Sequence, residues 1–274
     1  MPSAHWDETL AERYRNFRYE FGDKTLAGRS VIVAGGTGGL GSALVALLAR
    51  EGAHVIVGYR SNRERAGQLQ RAMAEQFSAA IELVEGDILD AQVRRAYLAA
   101  AEKSRLPIAG AAIYPGDPAR VAWESLNSES LAASFQSNYS GPILLAKELG
   151  EALEKTGGGN LVLLATMQAV APFPGSLNYA APKAALVHGA RILGQQWNHV
   201  AVNVVAPGAT VAGMAESSVR SGKYDRFVTS GAIPRFGRPE DVACAVRFFL
   251  EPGIYVNGQV MVVDGGLTLR RDRG

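Results

Sequence analysis

Apolar and polar positions alternate along this chain in blocks of two kinds. Short runs rich in apolar and β-branched residues recur at 29–34, 54–58, 81–85, 107–113, 161–165, 201–205 and 259–263. Each has the length of a strand buried on both faces. Between them lie longer stretches with apolar residues at three- and four-residue steps, at 42–50, 62–77, 91–103, 129–155, 179–197 and 239–250. These predict helices; in 62–77, for example, Ala66, Leu69, Met73 and Phe77 fall on one face. Gly141-Pro142 predicts a kink inside 129–155, because proline lacks the N–H that a helix interior needs. Short apolar strands alternating with helices predict an α/β fold, doubly wound around a central parallel sheet of about seven strands, with right-handed crossovers. Ahead of the first strand, residues 1–25 form an extension rich in charge and aromatics. Leu10, Tyr14, Phe17 and Phe21 at helical steps predict a helical arm over 7–21, packed on its own domain or on a neighbouring subunit. Residues 26–274 then form the one main domain.

Composition narrows the picture modestly. At 274 residues, with 47% hydrophobic and 20% charged, the chain can bury a sizeable core. A net charge of +2 gives no global reason to expect a nucleic acid or an anionic membrane as partner. Cys244 is the only cysteine, which excludes an internal disulfide and fits a reducing, cytoplasmic setting. The first residues carry no apolar run of the kind a secretory signal needs, and nothing approaches the ~20 apolar residues of a membrane span. His5, His54, His188 and His199 are scattered, so no metal site is expected.

The strand ends collect the chemistry. In a sheet of this kind the ligand lies outside the carboxyl ends of the strands, and the cluster Gly35 to Gly41, Asp87, Thr166 and Pro207-Gly208 all fall there. Strand, glycine turn and helix at the first junction are the context of a Rossmann-type dinucleotide site. Glycines permit the tight turn and let backbone N–H groups approach a pyrophosphate at the helix N-terminus. Further on, Tyr179 and Lys183 stand four residues apart on a predicted helix and so share one face. An ammonium beside a phenol favours phenolate and lowers a pKa that is otherwise ~10, which suits proton transfer. The Thr166 hydroxyl is placed to hold a substrate oxygen beside that phenol. Two unrelated helix-surface residues would show the same spacing, so the pair gains its meaning from the glycine turn at the same sheet edge.

Taken in order, Ala34-Gly-Gly-Thr-Gly-Gly-Leu-Gly41, Asp87-Ile88, Asn138, Thr166, Tyr179-Ala-Ala-Pro-Lys183, Pro207-Gly208, Gly258-Gln259 and Val263-Asp264-Gly265-Gly266 resemble the short-chain dehydrogenase/reductase family over about residues 26–267. The resemblance implies a cofactor held by Gly35, Thr37, Gly38, Gly39, Leu40 and Gly41, with Asp87 and Ile88 at the adenine, and Tyr114, Pro207, Gly208 and Thr210 along the pocket. It implies Asn138, Thr166, Tyr179 and Lys183 as the catalytic set. Tyr179 would be the general acid in reduction. Lys183 would lower the Tyr179 pKa and hold the ribose hydroxyls. Thr166 would bond the substrate oxygen, and Asn138 would hold a water linking Lys183 to solvent.

Three departures from the family pattern stand out. Ile113-Tyr114-Pro115-Gly116 replaces Asn-Asn-Ala-Gly, and Ala212 replaces a threonine expected near the nicotinamide carboxamide, leaving Thr210 as a hydroxyl on that loop. Pro182 between the tyrosine and the lysine requires a place in the first turn of its helix, with Tyr179 at or near the cap.

The cofactor choice reads from the end of the second strand, where an NAD site carries Asp or Glu. Here that slot is Tyr59, followed by Arg60, Ser61 and Asn62, with no carboxylate to repel a 2′-phosphate. Guanidinium groups are good phosphate forks, so the expectation is NADP(H) with Arg60 as the clamp. The implied activity is that of an NADPH-dependent ketoreductase similar to 3-oxoacyl-carrier-protein reductases, acting on a small-molecule carbonyl or alcohol as a homo-oligomer, dimer or tetramer. The segment 209–236 should form much of the substrate wall, mixing Met214, Phe227 and Val228 with Arg220, Lys223, Arg226 and Arg235. A thioester, a polyketide-like ketone, a sugar and a quinone stay open as substrates. A second reading is a weakly active or inactive nucleotide-binding regulatory or scaffold protein on the same fold. The departures at 113–115 and 212 support it; the intact Asn138, Thr166, Tyr179 and Lys183 weigh against it.

Overall fold

A computed structural model describes residues 7–18 and 22–270. In chain order the elements are α1 (Glu8–Arg15), β1 (Ser30–Ala34), α2 (Gly39–Glu51), β2 (His54–Tyr59), α3 (Arg63–Phe77), β3 (Ile81–Glu85), α4 (Ala91–Ser104), β4 (Ile108–Ile113), α5 (Ser128–Phe135), α6 (Gly141–Lys155), β5 (Gly159–Leu164), α7 (Leu177–Leu193), β6 (Val200–Pro207), α8 (Glu216–Arg220), α9 (Asp225–Thr229), α10 (Pro239–Phe249), β7 (Val260–Val263) and α11 (Leu267–Arg270). The seven strands are all parallel and run in the order β3-β2-β1-β4-β5-β6-β7. The order reverses between β1 and β4, the switch point at which such sheets open a ligand crevice.

Strand alternation sends side chains to two separate cores. On one face Val31, Val33, Val55 and Val57 pack with Leu44 and Leu48 of α2 and with Val246 and Phe249 of α10. On the other, Ile32, Ile56, Ile113, Leu161 and Leu163 meet Tyr97 of α4, Leu145 and Leu149 of α6 and Leu186 of α7. Each fully buried side chain of this size stabilises by about 1.5–3 kcal/mol. The fit is tight where β2 passes α4: a Cβ on Gly58 would lie 1.7 Å from the Tyr97 hydroxyl.

Three elements differ from the sequence expectation. The N-terminal helix stops at Arg15 rather than reaching 21. Phe17 is 81% exposed with φ 54, so the chain has left the helix there. The side chains of Leu10 and Tyr14, and all of Phe21, lie outside the described residues. Helix α2 begins three residues earlier than expected, because Gly39 to Gly41 make up its first turn. The helix expected at 129–155 is interrupted, but not at Gly141-Pro142. A π turn occupies Gln136–Ser140, and Pro142 falls in the first turn of α6. Proline cannot donate to the carbonyl four residues earlier, that of Asn138, and a π bulge is one way a helix absorbs such a mismatch.

Candidate active site

The glycine turn forms a backbone cradle. Gly35 has φ 73, and a Cβ on Gly41 would meet the Gly35 oxygen at 2.6 Å and the Gly36 Cα at 2.8 Å. Gly38 caps α2, and Gly39, Leu40 and Gly41 supply its first turn, whose N–H groups have no partner within the helix and favour an anion. Thr37 presents its carbonyl to Arg65 Nε at 2.6 Å. These residues fit the pyrophosphate of a dinucleotide.

The second strand ends on Tyr59, which is 7% exposed. Arg60, Ser61 and Asn62 follow on the surface. Asn62 is spent locally: its Oδ1 accepts the Arg65 N–H at 3.0 Å and caps α3. The end of β2 carries no carboxylate in that slot, but β3 brings one beside it. Glu85 stands opposite Tyr59 in the β2–β3 register. It takes a 2.9 Å hydrogen bond from the Tyr59 hydroxyl and an ion pair from Arg63. Next on β3's exit, Asp87 Oδ1 accepts the Leu89 N–H at 2.9 Å and Ile88 is buried. Beneath this turn lies Arg94, whose Nη1 donates to the Ile88 and Leu89 carbonyls at 2.8 and 2.9 Å and whose Nε pairs with Glu148 at 2.7 Å.

Thr166 leaves β5, and Tyr179 and Lys183 rise from α7 to meet it. The Thr166 side chain acts on the Tyr179 phenol and favours its ionised form, and its hydroxyl accepts the Gln168 N–H at 3.3 Å. Lys183 is 2% exposed, and its Nζ donates to the Leu164 carbonyl at 2.8 Å. Burial disfavours the charged form of both groups. It pushes Tyr179 up to about 12, tempered by the neighbouring Thr166 hydroxyl, and pulls Lys183 down to about 7. The expected lowering of the phenol by its lysine neighbour is therefore not the dominant effect here; burial is.

Pro182 is not in the first turn. The cap is Ser176 and α7 starts at Leu177, so the proline sits in the second turn. Its missing N–H would have served the Asn178 carbonyl, and Ser134 supplies the donor instead, its hydroxyl bonding that oxygen. The same hydroxyl accepts from Asn138 Nδ2 at 3.1 Å. Asn138 is fully buried and grips the loop after β4 twice: its Oδ1 takes the Asp117 N–H at 3.0 Å and its Nδ2 bonds the Asp117 carbonyl at 3.0 Å. A Cβ on Gly116 would lie 2.7 Å from Asn138 Oδ1 and 3.1 Å from Lys183 Nζ, so the loop, Asn138 and Lys183 converge on one point. Sequence reading missed Ser134 and Glu85; only the register of β2 on β3 and the crossing of α5 on α7 reveal them.

Leu40, Tyr114, Thr166, Tyr179, Lys183, Pro207, Gly208, Thr210 and Ala212 line one cavity of about 580 Å³. Thr210 turns its hydroxyl back to the Gly208 carbonyl at 3.1 Å, and Tyr114 has a buried hydroxyl with no hydrogen-bond partner. The outer wall adds Val121, Phe173, Met214 and Phe227. Most basic groups expected there are engaged. Arg235 forms a two-pronged pair with Asp241, Arg220 meets Glu216, and Arg226 lies 4.8 Å from the Phe227 ring centre. Arg120, from the loop after β4, bonds the Met214 carbonyl at 2.7 Å and ties the two walls together. Among the described residues no cluster suited to a metal ion occurs, and no helix is long and apolar enough to cross a membrane.

Comparison with known proteins follows the same lines. The family model described as Enoyl-(Acyl carrier protein) reductase matches residues 34–268. NADPH-dependent aldehyde reductase 2, chloroplastic, of Arabidopsis thaliana is 28% identical over 261 residues, covering 89% of this chain and 95% of its own length. Levodione reductase is similar in structure, with a TM-score of 0.80 at 25% identity, over 89% of this chain and 99% of that one. A short chain dehydrogenase from Burkholderia cenocepacia J2315, solved in complex with NADP, has a TM-score of 0.78 at 26% identity, again over 89% and 99%.

Proposed function

The chain belongs to the short-chain dehydrogenase/reductase family, and from that premise we propose that it is an NADP(H)-dependent reductase of a carbonyl on a small, largely apolar molecule. The observation that carries this reading is the meeting of Thr166, Tyr179 and Lys183 in one cavity with Leu40, the residue of the glycine turn that reaches it. Relatives named for NADPH or solved with NADP support the cofactor, as do the exposed Arg60 and the guanidinium groups of Arg63 and Arg65 at the second strand's end. The glycine cradle would hold the pyrophosphate, Asp87 and Ile88 the adenine end, and Pro207, Gly208 and Thr210 the nicotinamide end.

When bound, the reduced nicotinamide supplies the hydride to the carbonyl carbon. The protein handles the proton. Tyr179, held up to about 12 by burial, is a neutral donor at pH 7, and its proton passes to the carbonyl oxygen as charge develops there. Thr166 bonds that same oxygen and aligns it with the phenol. Lys183, with a value of about 7, exchanges its proton with solvent near neutrality and restores the phenol's proton. Asn138 contributes by position: both ends of its amide are committed to the Asp117 backbone and to Ser134, which holds the Gly116 loop against Lys183. The outer wall, with Val121, Phe173, Met214 and Phe227, favours a largely apolar substrate body.

The test is Tyr179→Phe. It should fold, bind NADPH with unchanged affinity and lose about 10²- to 10⁴-fold in turnover on aldehydes and ketones, the usual worth of a positioned acid. Full turnover in that variant refutes the assignment.

A further inference from the structure

The end of β2 holds an arrangement that the cofactor reading does not by itself require. Dinucleotide sites that take a free ribose place a carboxylate at this strand end to accept the 2′-hydroxyl. Here the side chain is a phenol, and the carboxylate stands one strand farther out. Tyr59 and Glu85 are paired in register, and the strands are locked there by the Gly86 N–H on the Tyr59 carbonyl at 2.9 Å. The buried Tyr59 reaches across and donates to Glu85 Oε2 at 2.9 Å. Arg63, in the first turn of α3, closes on the same oxygen from outside. The two contacts together hold the Glu85 carboxyl below the usual carboxylate range, so its charge is permanent at neutral pH.

Helix α3 is itself fixed against the site. Asn62 caps it through the Arg65 N–H, and Arg65 Nε reaches back to the Thr37 carbonyl of the glycine turn at 2.6 Å. The acid in the first turn of α3, Glu64, accepts a 3.2 Å hydrogen bond from Gln68 farther down the helix. Glu85 is thus the carboxylate tied to the second strand's end, and Arg63 is the cation that neutralises it. Arg60 and Arg65 are left to give this edge its positive balance.

We propose that Glu85 is a masked carboxylate and that Arg63, by masking it, sets the preference for a 2′-phosphorylated cofactor. With Arg63 present the edge accepts a phosphate. Without it, a charge anchored by Tyr59 faces the 2′ position and favours a hydroxyl. The inference deepens the NADP(H) reading and rests on it. It differs from a simple phosphate clamp in one respect: the effect of losing Arg63 depends on Glu85.

That dependence is the test. Dissociation constants for NADPH and for NADH are measured by calorimetry on the intact chain and on Arg63→Ala, Glu85→Gln and the double variant. Arg63→Ala should lower the NADPH-over-NADH preference about 10-fold or more, the scale of one charge a few ångströms away near a protein surface. Glu85→Gln alone should keep or raise that preference, and the double variant should recover most of what Arg63→Ala lost. The ligand-free melting temperatures of all four should nearly coincide, because an exposed ion pair contributes little to folding. Equal losses in Arg63→Ala and the double variant would reduce Arg63 to a direct phosphate contact and overturn the proposal. A weaker NADPH preference in Glu85→Gln alone would overturn it too, since Glu85 would then be serving to present Arg63. An intact chain that prefers NADH defeats the cofactor reading itself, and this inference with it. Clear NADPH preference with additive variants defeats only the inference.

Discussion

Lys183 is the side chain whose burial should be most visible in the protein's stability. It is 2% exposed and its one hydrogen bond in the fold goes to the neutral Leu164 carbonyl. Burial pulls it from 10.5 to about 7. In the unfolded chain the same amine keeps its ordinary value, so between about pH 7 and pH 10.5 the unfolded state binds more protons than the folded one. Stability must then rise with pH, by about 1.4 kcal/mol per pH unit for one full proton. Below about pH 7 both states are charged and the effect is flat. Between about pH 7.5 and 9.5 the gain should reach about 2.5 kcal/mol, because the proton difference stays close to one across that interval.

Few other groups confuse that window. The buried tyrosines act later and with the opposite sign. Burial raises Tyr97, Tyr114 and Tyr179, so the unfolded chain ionises first and stability falls as pH climbs past about 10. The assay is urea unfolding of the ligand-free chain at half-unit pH steps, beside Lys183→Met, which keeps the stem and deletes the charge. The wild type should gain roughly 1 M in midpoint across the window at an m of about 2–3 kcal/mol/M, while the variant stays level. Parallel curves for the two proteins would refute the reasoning, because the slope would then belong to some other group.

Two further variants test the local arguments. Ser134→Ala removes the donor that replaces the Pro182 N–H, leaving the buried Asn178 carbonyl unpaired; a loss of about 1–3 kcal/mol in chemical denaturation is expected, and a Pro182→Ala background should recover part of it by restoring an N–H. Tyr114→Phe removes a buried hydroxyl that has no partner, so the ligand-free protein should melt at the same temperature or a few degrees higher; a drop of several degrees would mean the hydroxyl is bonded in solution.

Much of the fold was legible because its signal is local. Each of the seven strands is a short apolar run bounded by turn residues, and each reads the same way in the sequence and in the sheet. The misplaced boundaries have physical causes that periodicity does not carry. The glycines before Ser42 read as a turn, yet Gly39 and Gly41 belong to α2, since a first turn needs no N–H partners of its own. The helix at 129–155 keeps its apolar spacing on both sides of the π turn, so the pattern passes through Gln136–Ser140 unbroken. The proline that disturbs it lies downstream of the disturbance, because the bond it cannot make belongs to a carbonyl one turn earlier.

The site was legible wherever one element supplies the chemistry, and hidden wherever two elements share it. Tyr179 and Lys183 are one helical turn apart, and Thr166 follows just after the strand before them, at the sheet edge where the pattern places the ligand. Glu85 is 26 residues from Tyr59 and Ser134 is 44 from Asn178, and no pattern in either segment announces the other. What joins them is register in one case and helix crossing in the other, each set by the packing of the whole sheet. The same distinction explains why Pro182 and Ala212 differ as departures. Pro182 removes a donor from a buried carbonyl, and Ser134 on α5 answers it, so α7 keeps its course. Ala212 removes a hydroxyl from the cavity wall, and Thr210, the nearest on that loop, is already bonded to Gly208. One change is compensated across the fold and leaves the chemistry alone; the other leaves that stretch of wall more apolar, and so bears on what the cavity holds rather than on whether the proton can move.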